Sequence, residues 1–230
     1  MKRIALRLLA LLFAALLCYS AYRVWGISRD YSAEAEMHEL VMEYKPLQEE
    51  TVNQGVIDLR EKYPDAVGWL TVANTNIDYP FVWYKDNDYY LRRDLDGNYA
   101  LAGTLFMDCR CKADFTSQNT IIYGHHMKNS SMFGTLKSFA DNDFFAANPY
   151  GAIYLPHETL ALEFFAYLVV YHTDEEIYSA DLSEDYLAYV EQKARQYRGV
   201  GLTDGDRIVT LSTCSYEFNN ARMVLLAKVV

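Results

Sequence analysis

An uncharged, largely apolar stretch near the N-terminus constrains this chain more than any other feature. Residues 8–22 contain no charged side chain. If residues 4–27 form one helix, it measures about 36 Å at 1.5 Å per residue, against a hydrocarbon core of about 30 Å. Arg7 and Arg23 near its ends would reach the two headgroup regions, and Trp25 suits an interface. The pattern predicts a single transmembrane helix.

The distribution of positive charge predicts how this helix is oriented. Lys2, Arg3 and Arg7 all precede the uncharged stretch. Because basic residues are retained on the cytoplasmic side, we expect a single-pass protein of the cell membrane with a cytoplasmic N-terminus and with residues 30–230 outside. A cleaved signal peptide is the alternative, since residues 18–20 (Cys-Tyr-Ser) form a weak small-x-small cleavage site.

The charge of the exported part excludes one class of partner. The chain has 21 basic and 31 acidic residues, a formal net charge of −10. The first 29 residues hold five basic and no acidic side chains, which leaves −15 for residues 30–230. An acidic body repels a phosphate backbone, so we expect no nucleic-acid partner. With 51% hydrophobic residues, the same body can bury a core.

The residue pattern divides the exported part in two. Residues 30–63 are charged, with apolar residues at helical spacing and a proline, Pro46, between two such stretches. They predict a helical N-terminal extension that packs onto the body. From Val67 the chain shows short β-branched and aromatic runs separated by Asn, Asp and Gly, as strands do. We therefore expect residues 1–29 to be a cytoplasmic tip and anchor, 30–63 the extension and 64–230 one β domain.

Eight strands and two helices are predicted in this β domain. The strands cover residues 67–72, 77–82, 103–107, 119–123, 151–155, 160–171, 206–212 and 222–229. The helices cover residues 131–139 and 183–198, the second with Ser183 and Asp185 as N-terminal caps and Gly199 as its stop. Eight strands with few helices predict a mainly β fold, a closed or nearly closed barrel.

The four cysteines do not form a disulfide scaffold. Cys18 lies in the predicted span, Cys109 and Cys111 form a C-x-C pair, and Cys214 stands alone. A zinc site would need a second Cys or His pair at similar spacing, so we expect neither a metal nor another cofactor. Cys109 and Cys111 suit small, semi-buried positions near a strand end. Cys214 is either an inert core residue or a reactive thiol.

Cys214 ends a predicted strand and faces a basic side chain across a hairpin. The segment from Asp206 to Cys214 alternates like a strand and ends on this cysteine. Residues 215–220 form a polar connection, and the final strand begins near Arg222. The hairpin therefore returns Arg222 toward Cys214. An arginine that opens an apolar strand needs an anionic or carbonyl partner, and a thiolate or a developing oxyanion would provide one.

Two histidines follow another predicted strand, residues 119–123. His125 and His126 come directly after Gly124. Histidine gains and loses a proton near neutral pH, so it can act as a general acid or base. Because neighbouring residues of an extended chain face opposite ways, we expect at most one of the two to face a given site.

Taken together, these motifs resemble those of the sortases, membrane-anchored cysteine transpeptidases of Gram-positive bacteria. The resemblance rests on the N-terminal anchor, Tyr-Gly-His at residues 123–125, Thr-Leu-Ser-Thr-Cys at 210–214 and the following arginine. Further stretches resemble class B: IDYP at 77–80, KDNDYYL at 85–91, GTLFMD at 103–108, NTIIYGHHM at 119–127 and SMFG at 131–134. The class implies an eight-stranded sortase-type barrel with an N-terminal helical extension and a helix inserted between strands 6 and 7.

The resemblance also implies roles for five residues. Cys214 corresponds to the nucleophile, His125 to the general acid/base and Arg222 to the residue that holds the scissile carbonyl. Ser212 corresponds to a substrate contact, and Tyr178 lies in the segment that walls the sorting-motif groove. His126 departs from the class pattern, which often has Asn there, and this departure bears on the assignment of His125.

The implied reaction is transpeptidation. A C-terminal sorting motif of NPxT or LPxT type on exported surface proteins would be cleaved through a thioester, and the protein would pass to an amine of a peptidoglycan precursor. Two alternatives share these residues: an extracytoplasmic cysteine protease, which only hydrolyses, and a pilus-type sortase, which usually shows an Asp-Pro-aromatic lid and a second apolar segment. In L,D-transpeptidases the histidine shortly precedes the cysteine, whereas His125 and Cys214 are 89 residues apart.

Overall fold

The computed structural model describes residues 2–47, 52–203 and 205–230. The chain divides into two compact units, a first that ends at Leu40 and a second from Val41 to Val230. The second unit contains every strand that the structure describes. It is therefore the unit in which the predicted catalytic residues lie.

The described part of the first unit belongs to a single long helix, α1, which runs from Lys2 to Val41. By length and composition, residues 6–44 include a helix that is apolar enough to cross a membrane, a property that signal sequences share. The helix continues without interruption from the predicted anchor into the extension. Gly26 alone does not end it, because one glycine costs a helix only about 1 kcal/mol. Regular helix ends shortly before Pro46, whose ring disfavours helical geometry at the preceding residue.

The second helix of the extension, α2 (Gln54–Lys62), packs on the barrel. Its Val56 and Leu59 are fully buried. The buried Asn53, which precedes α2, donates from Nδ2 to the carbonyl oxygens of Leu155 at 2.6 Å and Glu158 at 3.1 Å. These bonds fix the start of α2 to the turn between two barrel strands.

Eight strands of the described residues form a closed barrel, and a ninth short strand extends it. The strands are β1 (Ala66–Val72), β2 (Asp78–Val82), β3 (Leu105–Met107), β4 (Asn119–Tyr123), β5 (Tyr150–Leu155), β6 (Glu158–Tyr171), β7 (Gln196–Tyr197), β8 (Ile208–Cys214) and β9 (Ala221–Val229). Their order is β5-β1-β2-β3-β4-β8-β9-β6-β7, and pairing of β5 with β6 closes the barrel. The mainly β, eight-stranded prediction is confirmed, and each predicted strand boundary lies within two residues of the observed one.

The helix predicted over residues 183–198 is only partly correct. Helix α4 covers Tyr186–Lys193, and the chain becomes extended at Ala194. It then forms β7 on the edge of β6, where Arg195 donates its N–H to the carbonyl of Tyr167 at 2.8 Å. Strand pairing thus replaces the last helical turn that local propensity favours. The helix lies, as predicted, between the long strand β6 and the strand that carries Cys214.

The predicted helix caps and the helix at 131–139 also need correction. Neither Ser183 nor Asp185 caps α4 with its side chain. Ser183 donates its hydroxyl hydrogen to Glu176 instead. Residues 134–140 form a 3-10 helix, and an α-helix, α3 (Asn142–Ala147), follows it. Asp141 caps α3 by accepting the N–H of Phe144 at 2.9 Å. A polar cap three residues before an apolar run would have identified this helix start.

Candidate active site

The strand order brings the predicted catalytic residues to one end of the barrel. Strands β4 and β8 are parallel neighbours, with Tyr123 opposite Ser212. Strand β9 runs antiparallel to β8, with Arg222 directly opposite Cys214. The carboxyl ends of β4 and β8 and the amino end of β9 therefore lie at the same edge of the sheet. The peptide N–H of Gly124 extends this edge by donating to the carbonyl of Ser212 at 3.2 Å.

A cavity of about 230 Å³ opens at this edge. All five residues singled out from the sequence line it: His125, Tyr178, Ser212, Cys214 and Arg222. These residues come from four separate parts of the chain. The structure thus places a thiol, an imidazole and a guanidinium around one space.

His125 is held by the main chain of another loop. Its Nε2 lies 2.7 Å from the carbonyl oxygen of Leu91. Because a carbonyl only accepts hydrogen bonds, Nε2 carries the hydrogen and Nδ1 is left to exchange a proton. Burial lowers the pKa of His125 below its ordinary value, the charge of Arg92 acts in the same direction, and the bond to Leu91 opposes both. The imidazole is consequently neutral at neutral pH.

His126 points elsewhere and binds the main chain of β8, the strand that ends at Cys214. Its Nδ1 lies 3.0 Å from the carbonyl oxygen of Cys214, and its ring contacts that of Tyr216 with the centroids 5.5 Å apart. His126 does not line the cavity, whereas His125 does. The two neighbouring histidines thus face different surroundings, as the extended geometry predicts.

Arg222 and Cys214 face each other across the β8–β9 hairpin. Cys214 is a half-buried free thiol. Arg222 donates one hydrogen bond from Nη1, to the carbonyl of Ala221 at 3.1 Å, and forms no ion pair with a described residue. Most of the N–H groups of its guanidinium therefore remain available to bind a carbonyl oxygen or an oxyanion.

Ser212 and Tyr178 form one wall of the cavity. Their hydroxyl groups lie 2.8 Å apart in a buried hydrogen bond. Burial raises the pKa of Tyr178 to about 12, although the bond to Ser212 and the charge of Arg222 act in the opposite direction. The phenol therefore stays protonated and can act as a hydrogen-bond donor at neutral pH. Ser212 lies two residues before Cys214, so both side chains face the same side of β8.

Seven further residues line the cavity, and the sequence alone predicts no role for any of them. They include Asn87, Leu91, Tyr123 and His172. The side-chain oxygen of Asn87 accepts the N–H of Cys109 at 2.8 Å, which leaves the amide N–H groups free to donate. Asn87 and Leu91 both lie in the 85–91 stretch, which resembles the class, but no feature of that stretch distinguishes them from their neighbours.

A buried ionic network supports Tyr123. Asp108 is fully buried, and its two oxygens accept bonds from the Arg110 side chain at 2.9 and 2.7 Å and from the Tyr123 hydroxyl at 2.9 Å. Burial would raise the pKa of Asp108, but the bonds from Arg110 and Tyr123 outweigh it and hold this pKa below its ordinary value. The carboxylate thus stays ionised and holds the Tyr123 ring at the cavity wall.

Cys109 and Cys111, the C-x-C pair, do not form a disulfide bond, and only Cys111 is buried. Cys109 and Cys111 are free thiols. The Cys111 sulfur lies 3.4 Å from the carbonyl oxygen of Asn119, and burial raises its pKa to about 11. Among the described residues no group of three or more His, Cys, Asp or Glu side chains is arranged to hold a metal ion.

Comparisons with known proteins show the family to which this chain is similar. The family model of the Sortase domain matches residues 70–230. Sortase B of Listeria monocytogenes serovar 1/2a is 40% identical over 182 residues, which cover 75% of this chain and 73% of that protein. The Staphylococcus aureus sortase B–substrate complex superposes with a TM-score of 0.78 at 27% identity, and covers 88% of this chain and 98% of that one.

A solved class B sortase of Streptococcus pyogenes, involved in pilus biogenesis, is also similar. It has a TM-score of 0.71 at 32% identity, and the match covers 76% of this chain and 97% of that one. The family match spans more than half of the chain, and the similar structures share its barrel over most of their length. The chain therefore belongs to the sortases, the cysteine transpeptidases, and within them to class B.

Proposed function

We propose that this enzyme cleaves a C-terminal sorting motif of exported surface proteins and transfers the protein to an amine of the cell wall. The motif would be of NPxT or LPxT type, and the acceptor an amine of a peptidoglycan precursor. One observation carries the proposal: Cys214, His125 and Arg222 come from three chain segments and line a single cavity. The similarity to a sortase B solved with its substrate supports it.

Cys214 acts as the nucleophile in this proposal. Its thiolate attacks the scissile carbonyl carbon of the sorting motif and forms a thioester. A thioester is reactive enough for an amine to resolve it, and a serine ester would be less so. The position of Cys214 at a strand end, half-buried beside a cavity, supports this role.

His125 acts as the general acid and base. Since Nε2 donates to the Leu91 carbonyl, Nδ1 takes the thiol proton and passes it to the leaving amine. The Leu91 carbonyl also stabilises the imidazolium that exists after His125 takes the thiol proton and before it protonates the leaving amine. The lowered pKa of His125 keeps the ring neutral before reaction, which is the form that accepts a proton.

Arg222 stabilises the oxygen of the scissile carbonyl as negative charge develops on it. Its unpaired N–H groups and its place opposite Cys214 support this role. Ser212 and Tyr178 contact the sorting motif along the cavity wall. Asn87, with free amide N–H groups, is a further donor for a substrate carbonyl.

The enzyme acts at the outer face of the cell membrane in this proposal. Helix α1 anchors it as a single span with the N-terminus in the cytoplasm, which the basic residues before the span support. Residues 1–29 then form the cytoplasmic tip and anchor, 30–63 the extension and 64–230 the catalytic domain. The substrates are exported proteins that meet the barrel outside the membrane.

A second candidate function, the joining of pilin subunits, has one observation in its favour. The similar Streptococcus pyogenes enzyme is involved in pilus biogenesis. The two functions share the thioester and differ only in the acceptor, which would be a lysine of a neighbouring subunit. The identity of the amine that resolves the thioester therefore decides between them.

The test is formation of an acyl adduct on Cys214. The full chain in detergent micelles is mixed with NPxT and LPxT peptides, and its intact mass is followed over time. We expect an added mass equal to the N-terminal peptide fragment less one water, because the acyl group replaces the thiol hydrogen, in the wild-type chain and in the matched control Cys109→Ala. Cys214→Ala should show neither the adduct nor cleavage.

The product identifies the reaction and the acceptor. Addition of triglycine, as a cross-bridge mimic, or of Nα-acetyl-lysine, as a pilin mimic, should release the acyl group as an amide faster than water releases it as an acid. Release only as the acid would show a protease instead of a transpeptidase. An adduct that persists in Cys214→Ala, or no adduct and no cleavage with any peptide, would refute the proposed mechanism.

A further inference from the structure

The parallel pairing of β4 with β8 stops just before the proposed nucleophile. On β8 it ends at Ser212, whose carbonyl accepts the N–H of Gly124 at 3.2 Å. If the ladder continued, the main-chain N–H of residue 126 would donate to the carbonyl of Cys214, because parallel strands bond at every second residue. The chain of His126 instead forms an isolated antiparallel bridge with Met132. The strands therefore diverge at this point, and the Cys214 carbonyl needs another donor.

The imidazole of His126 supplies this donor. Its Nδ1 lies 3.0 Å from the carbonyl oxygen of Cys214. Because a carbonyl only accepts hydrogen bonds, Nδ1 carries the hydrogen in both protonation states of the ring. A side-chain N–H thus takes the place of the missing main-chain N–H. The two strands stay connected across the gap, while their separation leaves room for the cavity that His125 lines.

The bond from His126 holds the peptide unit that follows the proposed nucleophile. The carbonyl of this unit belongs to Cys214 and accepts the bond from His126. Its N–H belongs to Ser215 and donates to the carbonyl of Ala221 at 2.9 Å. The same Ala221 carbonyl accepts Nη1 of Arg222 at 3.1 Å. One peptide unit thus joins three chain segments: the exit of β4, the end of β8 and the start of β9.

We infer that His126 is a positioning residue that holds Cys214 in place relative to His125 and Arg222. The inference rests on the proposed function and adds a residue to it. Formation of the thioester requires the sulfur to lie close to both the scissile carbonyl carbon and the base, and a displacement of about 1 Å can cost on the order of a hundredfold in rate. His126 transfers no proton itself, since its Nδ1 is occupied by the Cys214 carbonyl and its ring does not line the cavity.

Three substitutions separate the donor from the ring. His126→Asn loses the ring but keeps a side-chain N–H at nearly the position of Nδ1. His126→Leu has the same branched shape as asparagine and no donor. His126→Phe keeps a ring against Tyr216, which the imidazole contacts with the centroids 5.5 Å apart, and also has no donor. If the bond to the Cys214 carbonyl is what matters, the asparagine variant alone retains the function of His126.

The experiment measures acylation of Cys214 in the full chain in detergent micelles, by rapid quench and intact mass, with the peptide that the wild-type chain accepts. In His126→Leu and His126→Phe we expect the maximal acylation rate to fall on the order of tenfold, because the sulfur is no longer held. The peptide concentration at half-maximal rate should change by less than about twofold, since His126 does not line the cavity. His126→Asn should recover most of the rate and keep the wild-type pH midpoint, because His125 remains the base.

The control is His157→Leu, since His157 is exposed immediately before β6, and it should acylate at the wild-type rate. A wild-type rate in either variant that lacks the donor would overturn the inference. So would an equal loss in His126→Asn, because the ring and not its N–H would then be needed. A change in the half-maximal peptide concentration alone would also overturn it, because His126 would then serve the sorting motif. Absence of any acyl-enzyme in the wild-type chain would instead refute the proposed function, and the inference with it.

Discussion

Replacement of Asp108 by asparagine tests the network that holds the Tyr123 wall of the active site. Asp108 is fully buried and accepts four hydrogen bonds. Three come from Arg110, by its main-chain N–H and its side chain, and one comes from the Tyr123 hydroxyl. Asparagine has nearly the same shape, so the change removes the charge and turns one acceptor into a donor without leaving a cavity.

The size of the effect follows from the exposure of the partners. The Arg110 side chain is 58% exposed, so water can replace its bonds and their loss costs only about 0–1 kcal/mol. The half-buried Tyr123 hydroxyl loses its hydrogen bond to the charged carboxylate in Asp108→Asn, and the new amide N–H faces other donors. Together these two effects lower the free energy of unfolding by about 2–3 kcal/mol. We expect the free energy of unfolding to fall by about 3 kcal/mol, which lowers Tm by roughly 6–12 °C for a domain of this size.

The pH dependence gives an independent check of the cause. Because the folded pKa of Asp108 lies below its ordinary value of 3.8, its contribution to stability is present above that pH and is lost as the pH falls through the folded pKa. The difference between the wild-type chain and Asp108→Asn should therefore be largest at pH 7 and shrink below about pH 4.

Thermal unfolding followed by near-ultraviolet circular dichroism measures the loss, since that signal reports aromatic packing in the barrel. Asp96→Asn, at an exposed position with no described side-chain hydrogen bond, is the control and should change stability by less than about 0.5 kcal/mol. A Tyr123→Phe change should be coupled to Asp108→Asn, so the double variant loses less than the sum of the single losses. Equal Tm values at pH 7, or fully additive losses, would refute this account of the network.

Two further predictions concern His125 and its support. At Gly124, a Cβ would lie 2.4 Å from a Leu105 side-chain carbon and 2.9 Å from the Phe133 ring, so Gly124→Ala should lose about 1–3 kcal/mol of stability and displace His125. Gly201→Ala is the control, because its Cβ has nothing within 4 Å. Acylation of Gly124→Ala at the wild-type rate would contradict the prediction. The pKa of His125 is lowered from 6.5, so the acylation rate should fall on the acid side with a midpoint below pH 6.5. A rapid-quench pH profile measures this midpoint. A midpoint above pH 6.5 would rule out neutral His125 as the base.

The sequence alone predicted most of the secondary structure because its signals are local. A buried-strand pattern before Gly124 predicted β4, the alternation of apolar and polar side chains predicted β8, and Pro46 marked the break in the extension. Strand β7 was missed for the opposite reason: residues 196–197 pair with β6 only because the barrel presents an open edge there, and their local pattern favours helix.

The sequence also singled out the side chains that we propose perform the chemistry, because the motif around Cys214 and the Tyr-Gly-His stretch pointed to them together. It did not reveal which groups surround them. The Leu91 carbonyl that fixes the tautomer of His125 and the hydrogen bond between Tyr178 and Ser212 depend on contacts between residues far apart in the chain. Such contacts follow from strand order and barrel closure, which the packing of the whole core decides and no local pattern encodes.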